Sequence, residues 1–464
     1  MKSRTLTLIA AMTLFAATLA APIRLAAQDQ EHHKKHKKQV LYSVKDLGTL
    51  GGIGGAGATA EAISNNGWAV GTSNLAGDTT LHSFLWRDGE MTDLGTLGGL
   101  NSNENGVLIS DNRGLIAGSA QTSAVDPLAE NWGATTFFCN NNGPCDGYQN
   151  VVLGFVWQDG VMTALPTLGG NNARAQGIND HGQVVGLAEN SVHNPECVPP
   201  QVLDFEAVIW EREGDREDGE IHPHQLPPLP GDTDAVAGQI NNRGQIVGVS
   251  GPCSQSVTHA VLWEHDTVSD MGNLGGCCNS PVDINSHGQV VGLSNTTGNT
   301  TFHAFLWQKG GVMTDLGTPP GDVMSFAFGI NDQGQIVGGS CTDVFFNGCR
   351  AMLWQNGVMT DLNTLVKPGS TPLQLFFGND INSRGEIAAY AFNPSNGEFR
   401  AALAIPCDEE DADNEGCEDG AEGTSAVRAA TSQNPKVVLP ENIRRMLRQR
   451  LGFGRFGAGP IRPQ

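Results

Sequence analysis

Apolar residues in this chain come in short runs of four to six, bounded by Gly, Asn, Asp and Ser, and no helical period is sustained between residues 42 and 406. That pattern predicts many short strands joined by tight turns. One run, HAFLW at 303 to 307, returns as HSFLW at 82 to 86, LGFVW at 153 to 157, EAVIW at 206 to 210, HAVLW at 259 to 263, RAMLW at 350 to 354 and RAALA at 400 to 404. Six of the eight Trp fall in one slot of that run: Trp86, Trp157, Trp210, Trp263, Trp307 and Trp354. A repeat is the only economical reading of such placement.

Each run sits in a larger unit with a mean period of about 52 residues, within the range of propeller blades. A polar hairpin, Ile-Asn-x-x-Gly, recurs at 178 to 182, 240 to 244, 284 to 288, 330 to 334 and 381 to 385, with weaker copies at 63 to 67 and 109 to 114. Its Gly supplies the positive φ that a short hairpin loop needs. A β-branched strand such as QIVG at 245 to 248 follows, then the Trp strand, a short turn, and a fourth strand such as VMTDLG at 312 to 317. Four antiparallel strands per unit and seven units predict a seven-bladed β-propeller over 42 to 406. The repeat region opens with a fourth-type strand, YSVKDLGTLGG at 42 to 52, and ends on a Trp-type strand, FRAALAIP at 399 to 406. The two halves are expected to complete one blade, with the N-terminal strand closing the ring and removing exposed edges.

In that frame the Trp set reads as packing between blades rather than a sugar-stacking array, and His82, His259 and His303 read as structural. Ala175, Gly177, Ala237 and Gly238 are expected at a crowded centre. Glycines 52, 54 and 57 satisfy a dinucleotide-type spacing, but no helix follows and they belong to the repeated connector.

The units resemble the HAF-family extracellular repeat through His303, Ala304 and Phe305, DLGTLGG at 93 to 99 and INDQGQIVG at 330 to 338. The resemblance covers about 365 residues and implies an exported bacterial protein with no established biochemical activity. Units three and four depart most, with ALPTLGG at 164 to 170 and QLPPLPGD at 225 to 232 in place of the usual connector.

Composition agrees with export. Residues 1 to 27 carry Lys2 and Arg4, an apolar run from Leu6 to Ala21 and small residues before Gln28, the pattern of a secretory signal. Residues 28 to 41 form a basic, flexible leader. The formal net charge of −22 argues against nucleic acid as a partner. The ten Cys lack zinc-type spacing and read as disulfides. Cys139 with Cys145, Cys341 with Cys349 and Cys407 with Cys417 are expected as local pairs, while Cys197 and Cys253 are expected to reach the neighbouring Cys277 and Cys278. Residues 407 to 439 read as an acidic linker, and 440 to 464 as an amphipathic helix and tail that docks on the ring, a partner or an envelope surface.

No catalytic motif, cofactor fingerprint or metal-ligand spacing stands out, and no later segment is long and apolar enough to span a membrane. The topology instead predicts a face. Insertions at 121 to 150, 187 to 203, 250 to 257 and 340 to 348 fall at one end of the ring, with eight of the ten Cys among or beside them. Trp132, Phe137, Phe138 and Tyr148, outside the Trp register, are the candidate ligand contacts. The expected function is a secreted or periplasmic binding or scaffolding module for a glycan, peptide or envelope protein. The alternatives are a glycan hydrolase or lyase using the central mouth, and a purely structural surface protein.

Overall fold

The computed structural model describes residues 40–407, apart from 53–56, 103–106, 111–112, 131, 133–149, 198, 200, 214–218, 255, 266 and 345. Seven antiparallel sheets form a ring, a seven-bladed β-propeller. Blade 1 runs from the centre outward as Ala58–Ile63, Ala69–Asn74, Leu81–Arg87 and Glu90–Asp93. The innermost strands of blades 3 to 7 are Gly169–Ile178, Asp234–Ile240, Gly275–Ile284, Met324–Ile330 and Gln374–Ile381. In blade 2 that strand is two pieces, Gly98–Ser102 and Leu108–Ile109, which makes the sheet five-stranded. Leu41–Gly48 pairs antiparallel with Glu398–Cys407 in the place the fourth strand takes elsewhere, from Leu41 opposite Cys407 to Gly48 opposite Ala401. Among the described residues the only helix is one 3-10 turn, Leu362–Leu365, and no helix could cross a membrane.

The Trp slot works as the spacing predicts. Trp210 packs on Ala117 and Val156 of blade 2, Trp263 on Val185 and Ala207 of blade 3, and Trp354 on Val291 and Ala304 of blade 5. Trp86 meets Ala388 and Leu403, joining blade 1 to blade 7. Each ring thus buries its large apolar face on the preceding blade.

The QIVG strand ends in Gly for a steric reason. The first strand carries a bulge in most blades, as between Ala237 and Gln239, and brings a carbonyl against the facing position. A Cβ on Gly248 would lie 2.1 Å from the Val236 oxygen, and one on Gly338 2.0 Å from that of Phe326. Ala175 and Ala237 are fully buried as expected. Gly177 is hemmed in by Gln239 of the next blade, whereas Gly238 has ordinary room, so the crowding comes from neighbouring blades and not from one axial point.

The hairpin Asn does more than turn the chain. Its Oδ1 accepts from main-chain amides two and four residues on, as from Arg243 and Gln245 to Asn241, both at 3.0 Å. Its Nδ2 donates to the Gln four residues on, 2.8 Å from Asn241 to Gln245. The same Nδ2 also donates to the next blade's hairpin carbonyl: Asn179 to Asn241, Asn241 to Asn285, Asn285 to Asn331, Asn331 to Asn382 and Asn382 to Ser64. These bonds run from blade 3 round to blade 1. Blades 1 and 2 carry Ser64 and Ser110 in the Asn slot, side chains too short to reach on.

Candidate functional site

Two regions bring polar groups together at the scale of a site. The first is a central channel of about 480 Å3, lined by the hairpins and the adjoining halves of the innermost strands. Glu61, Asp283 and Asp380 project from bulged strands, and each accepts a main-chain amide of the next blade. Glu61 takes the Val107 N–H at 2.8 Å, Asp283 that of Ile330 at 2.8 Å, and Asp380 that of Ile63 at 2.8 Å. Burial, and then the negative charge of Asp283, pushes the Asp380 carboxyl up to about 7. Phe328 of blade 6 also lines the channel, with the buried Phe326 ring 5.0 Å from it and the buried Phe377 ring 5.1 Å from Phe326. These Phe residues fill the first strands of their blades, and no periodic signal marks them in the sequence.

A second hollow, on the hairpin face, carries Arg113, His181, Arg212 and Arg243 at its rim with Asp180 and Glu211 between them. The charges interleave, so no field of one sign develops.

The other region is the long-loop face. Antiparallel alternation puts the ends of the second strands and the inter-blade connectors there. Blades 2 and 3 overhang the ring, because Ile116–Val125, Val184–His193 and Leu203–Arg212 run to ten residues each. The last three residues of the first two strands are exposed, and Val125 is 67% and Val192 57% exposed.

Beneath those tips the loops are anchored by buried polar groups. Asp126 Oδ1 accepts the Leu128 N–H at 2.8 Å and starts a turn. Glu130 Oε1 accepts the amides of Val202 and Leu203 at 2.6 and 2.8 Å, tying the blade 2 loop to the blade 3 loop. Glu189 accepts the Asn172 N–H at 2.9 Å and the Gln201 side-chain amide at 2.8 Å. Burial, then repulsion from Glu130, pushes the Glu189 carboxyl up to about 8.

Trp132 is fully buried here, against Val152, Leu187, Phe205 and Val236, with the Arg174 guanidinium 5.6 Å over its ring. The ring thus packs into the base of the loop rather than standing at its surface. A single aromatic residue outside the repeat register carries no sequence signal that separates a packed ring from an exposed one. Phe137, Phe138 and Tyr148 lie outside the described residues, as do Cys139, Cys145 and Cys417.

Disulfides brace the same face. Cys341 pairs with Cys349, as expected. Cys197 pairs with Cys253, and Cys277 with its neighbour Cys278, which corrects the expectation that the first two would reach the second two. The blade 3 and blade 4 loops meet each other before either reaches blade 5. Cys407 is also disulfide-bonded.

The recurrent His side chains each meet an Asp. Nδ1 of His82 lies 2.8 Å from Asp93 and that of His303 2.9 Å from Asp315, each on the fourth strand of the same blade. His259 pairs with Asp232 at 3.0 Å. In blade 3 the slot holds Glu206, beside Asp204 and Asp234. Burial, reinforced by that crowding of like charge, pushes Glu206 up to about 7 and Asp234 up to about 8.

No protein-family model matches the chain, and no curated protein matches it. Among solved structures, the chain is similar to the β-propeller domain of the Trilobed protease from Pyrococcus furiosus, at 11% identity and a TM-score of 0.42, over 66% of this chain and 81% of that one. It is similar to oligogalacturonate lyase from Vibrio parahaemolyticus at 11% identity and 0.46, over 81% and 95%. A putative TolB from Agrobacterium tumefaciens aligns at 12% identity and 0.35, over 79% and 99%. Likenesses at this level say nothing of what the chain does.

Proposed function

We propose that the protein is an exported binding or scaffolding module that recognises a glycan, a peptide or another envelope protein through its long-loop face, in keeping with the HAF-type repeats its units resemble. The observation that carries this reading is the anchoring of the blade 2 and 3 loops. Glu130, Trp132 and the Cys197–Cys253 bridge hold the loop bases, while Val125 and Val192 stand exposed at the tips. Rigid bases under exposed apolar tips lower the ordering cost of recognition. A hydrolase or lyase would draw on the channel carboxylates, and those spend oxygens on amides of the adjoining blade.

The test is a glycan and peptide array run with wild type and the double variant Val125→Asp, Val192→Asp. Both positions are exposed, so the fold should be unaffected. A hit weakened at least about tenfold in the variant supports the loop face. A hit of unchanged strength places recognition elsewhere, and activity on glycans without such binding would favour the enzyme.

A further inference from the structure

The bridge between Cys277 and Cys278 joins nearest neighbours, a sequence separation of 1. It ties no two segments together, so the unfolded chain loses almost no freedom to it. The bridges Cys197–Cys253 and Cys341–Cys349 span 56 and 8 residues and join separate parts of the loop face. Exposure divides the bridges in the same way. Cys197, Cys253, Cys341 and Cys349 are buried, as is Cys278, whereas Cys277 is part-exposed where the blade 5 strand leaves its connector.

The repeat shows what the pair displaces. In blades 2, 3 and 5 the innermost strand opens on the same irregularity, from Gly98 to Ser102, Gly169 to Ala173 and Gly275 to Asn279. Cys277 and Cys278 therefore take the places of Leu100 and Asn101 in blade 2 and of Asn171 and Asn172 in blade 3. Asn101 accepts the Leu81 N–H of blade 1 at 2.9 Å, and Asn172 the Val152 N–H of blade 2 at 2.9 Å. Blade 5 passes the inter-blade tie to Asn279, whose N–H donates to the Thr258 hydroxyl of blade 4 at 3.2 Å. The disulfide is left without a tie to make. What surrounds it suits reduced sulfur. The buried Asn295 side-chain amide donates to the Cys277 sulfur at 3.7 Å, and the Cys278 sulfur lies 4.0 Å from the Ser256 carbonyl oxygen. An amide donor favours a thiolate, and a carbonyl accepts from a thiol.

We propose that the Cys277–Cys278 bridge is a redox site that takes a dithiol as its reductant. A thiolate of the reductant attacks the reachable Cys277 sulfur and the bond to Cys278 breaks. Cys278 leaves with the bonding pair and takes up a proton, its S–H facing the Ser256 carbonyl. The reductant's second thiol, deprotonated, then attacks the reductant's own sulfur in the mixed disulfide and releases Cys277 as a thiolate beside the Asn295 amide. Two electrons pass to the protein, one proton goes to Cys278 and the other to Cys277 or solvent, and the reductant ends as a disulfide. A monothiol does not complete this sequence, because the adjacent Cys278 attacks the mixed disulfide and expels it. Accessible bridges are the ones that exchange readily. This inference is independent of the binding reading.

The test exposes the full chain, folded and with its bridges formed, to graded dithiothreitol without denaturant. Free thiols are then trapped with N-ethylmaleimide and placed by tandem mass spectrometry of the digest. Cys277 and Cys278 should be labelled at least about tenfold faster than Cys197, Cys253, Cys341 and Cys349, with the circular dichroism unchanged. Glutathione at equal thiol concentration should leave Cys277 and Cys278 unlabelled. The double variant Cys277→Ala, Cys278→Ala should melt within about 2 °C of wild type, as a bridge that ties nothing requires. Labelling of Cys277 and Cys278 no faster than that of the buried bridges overturns the proposal. So does a larger fall in the variant's melting temperature, or its failure to fold. Reduction by glutathione as fast as by dithiothreitol overturns the assignment of a dithiol.

Discussion

Asn331 donates its side-chain amide to the main-chain carbonyl of Asn382 in the next blade at 3.0 Å, and to Gln335 in its own hairpin at 2.7 Å. One buried side chain thus closes a turn and ties two blades. Asn331→Ala removes both bonds and the two that its Oδ1 accepts from Gln333 and Gln335. Buried amides and carbonyls are left unpaired, at about 2 to 4 kcal/mol in all. The exposed Asn66→Ala, at a hairpin tip of blade 1, should stay within about 0.5 kcal/mol of wild type. Urea unfolding of both variants measures the difference, and equal midpoints would remove the inter-blade role.

Why the sequence showed the hairpin and not the tie follows from what periodicity encodes. A repeat reports which residue types recur at which offset, so the Asn, the Gly and the Gln four residues on were all legible in INDQGQ at 330 to 335. The acceptor of the second amide hydrogen lies about 50 residues away, on another blade, and only the closed ring brings it near. The same limit applies to Cys197 and Cys253, whose proximity depends on how two loops lean. Trp132 was legible as exceptional but not as buried, since its contacts come from blades 2, 3 and 4 together. Glu206 could have been found, because an alignment of the seven slots shows one sign reversal.

Trp263 and Trp354 occupy one slot but differ in a single bond. The indole N–H of Trp263 donates to the Pro227 carbonyl at 2.7 Å, in the proline-rich connector of blade 3. That of Trp354 is buried without an acceptor among the described residues. Trp263→Phe should therefore cost about 1 to 2 kcal/mol more than Trp354→Phe, because it also strands a carbonyl. Calorimetric melts of the two variants decide the matter. A larger loss at Trp354 would mean that ring volume outweighs the hydrogen bond.

The two inter-strand bridges on the loop face differ in span. Cys197 and Cys253 are 56 residues apart, Cys341 and Cys349 only 8. If constraint of the unfolded chain dominates, replacing the longer bridge by a pair of Ala should cost about 2 kcal/mol more than replacing the shorter one. Guanidinium titrations of the two double variants test this, and an equal or reversed order would show that local packing in the loops governs instead.

Glu189 makes stability depend on pH in a direction opposite to that of an ordinary ion-paired carboxylate. Burial and the Glu130 charge raise its carboxyl from an ordinary 4.5 to about 8 in the folded protein, against the lowering effect of the Gln201 and Asn172 hydrogen bonds. The folded state then holds a proton that the unfolded chain releases. Its contribution to stability is complete below pH 4.5 and is lost progressively as pH rises towards 8. Asp126 and Arg174 line the same buried region, so the slope near Glu189 belongs to the group and is best isolated by difference. Glu189→Gln keeps the shape and is neutral throughout. Urea midpoints measured for both proteins from pH 5 to pH 8.5 should fall more steeply for wild type, with the variant gaining on it as pH rises. Parallel profiles would mean that Glu189 is ionised in the folded ring and that Arg174 and the surrounding amides suffice to hold its charge.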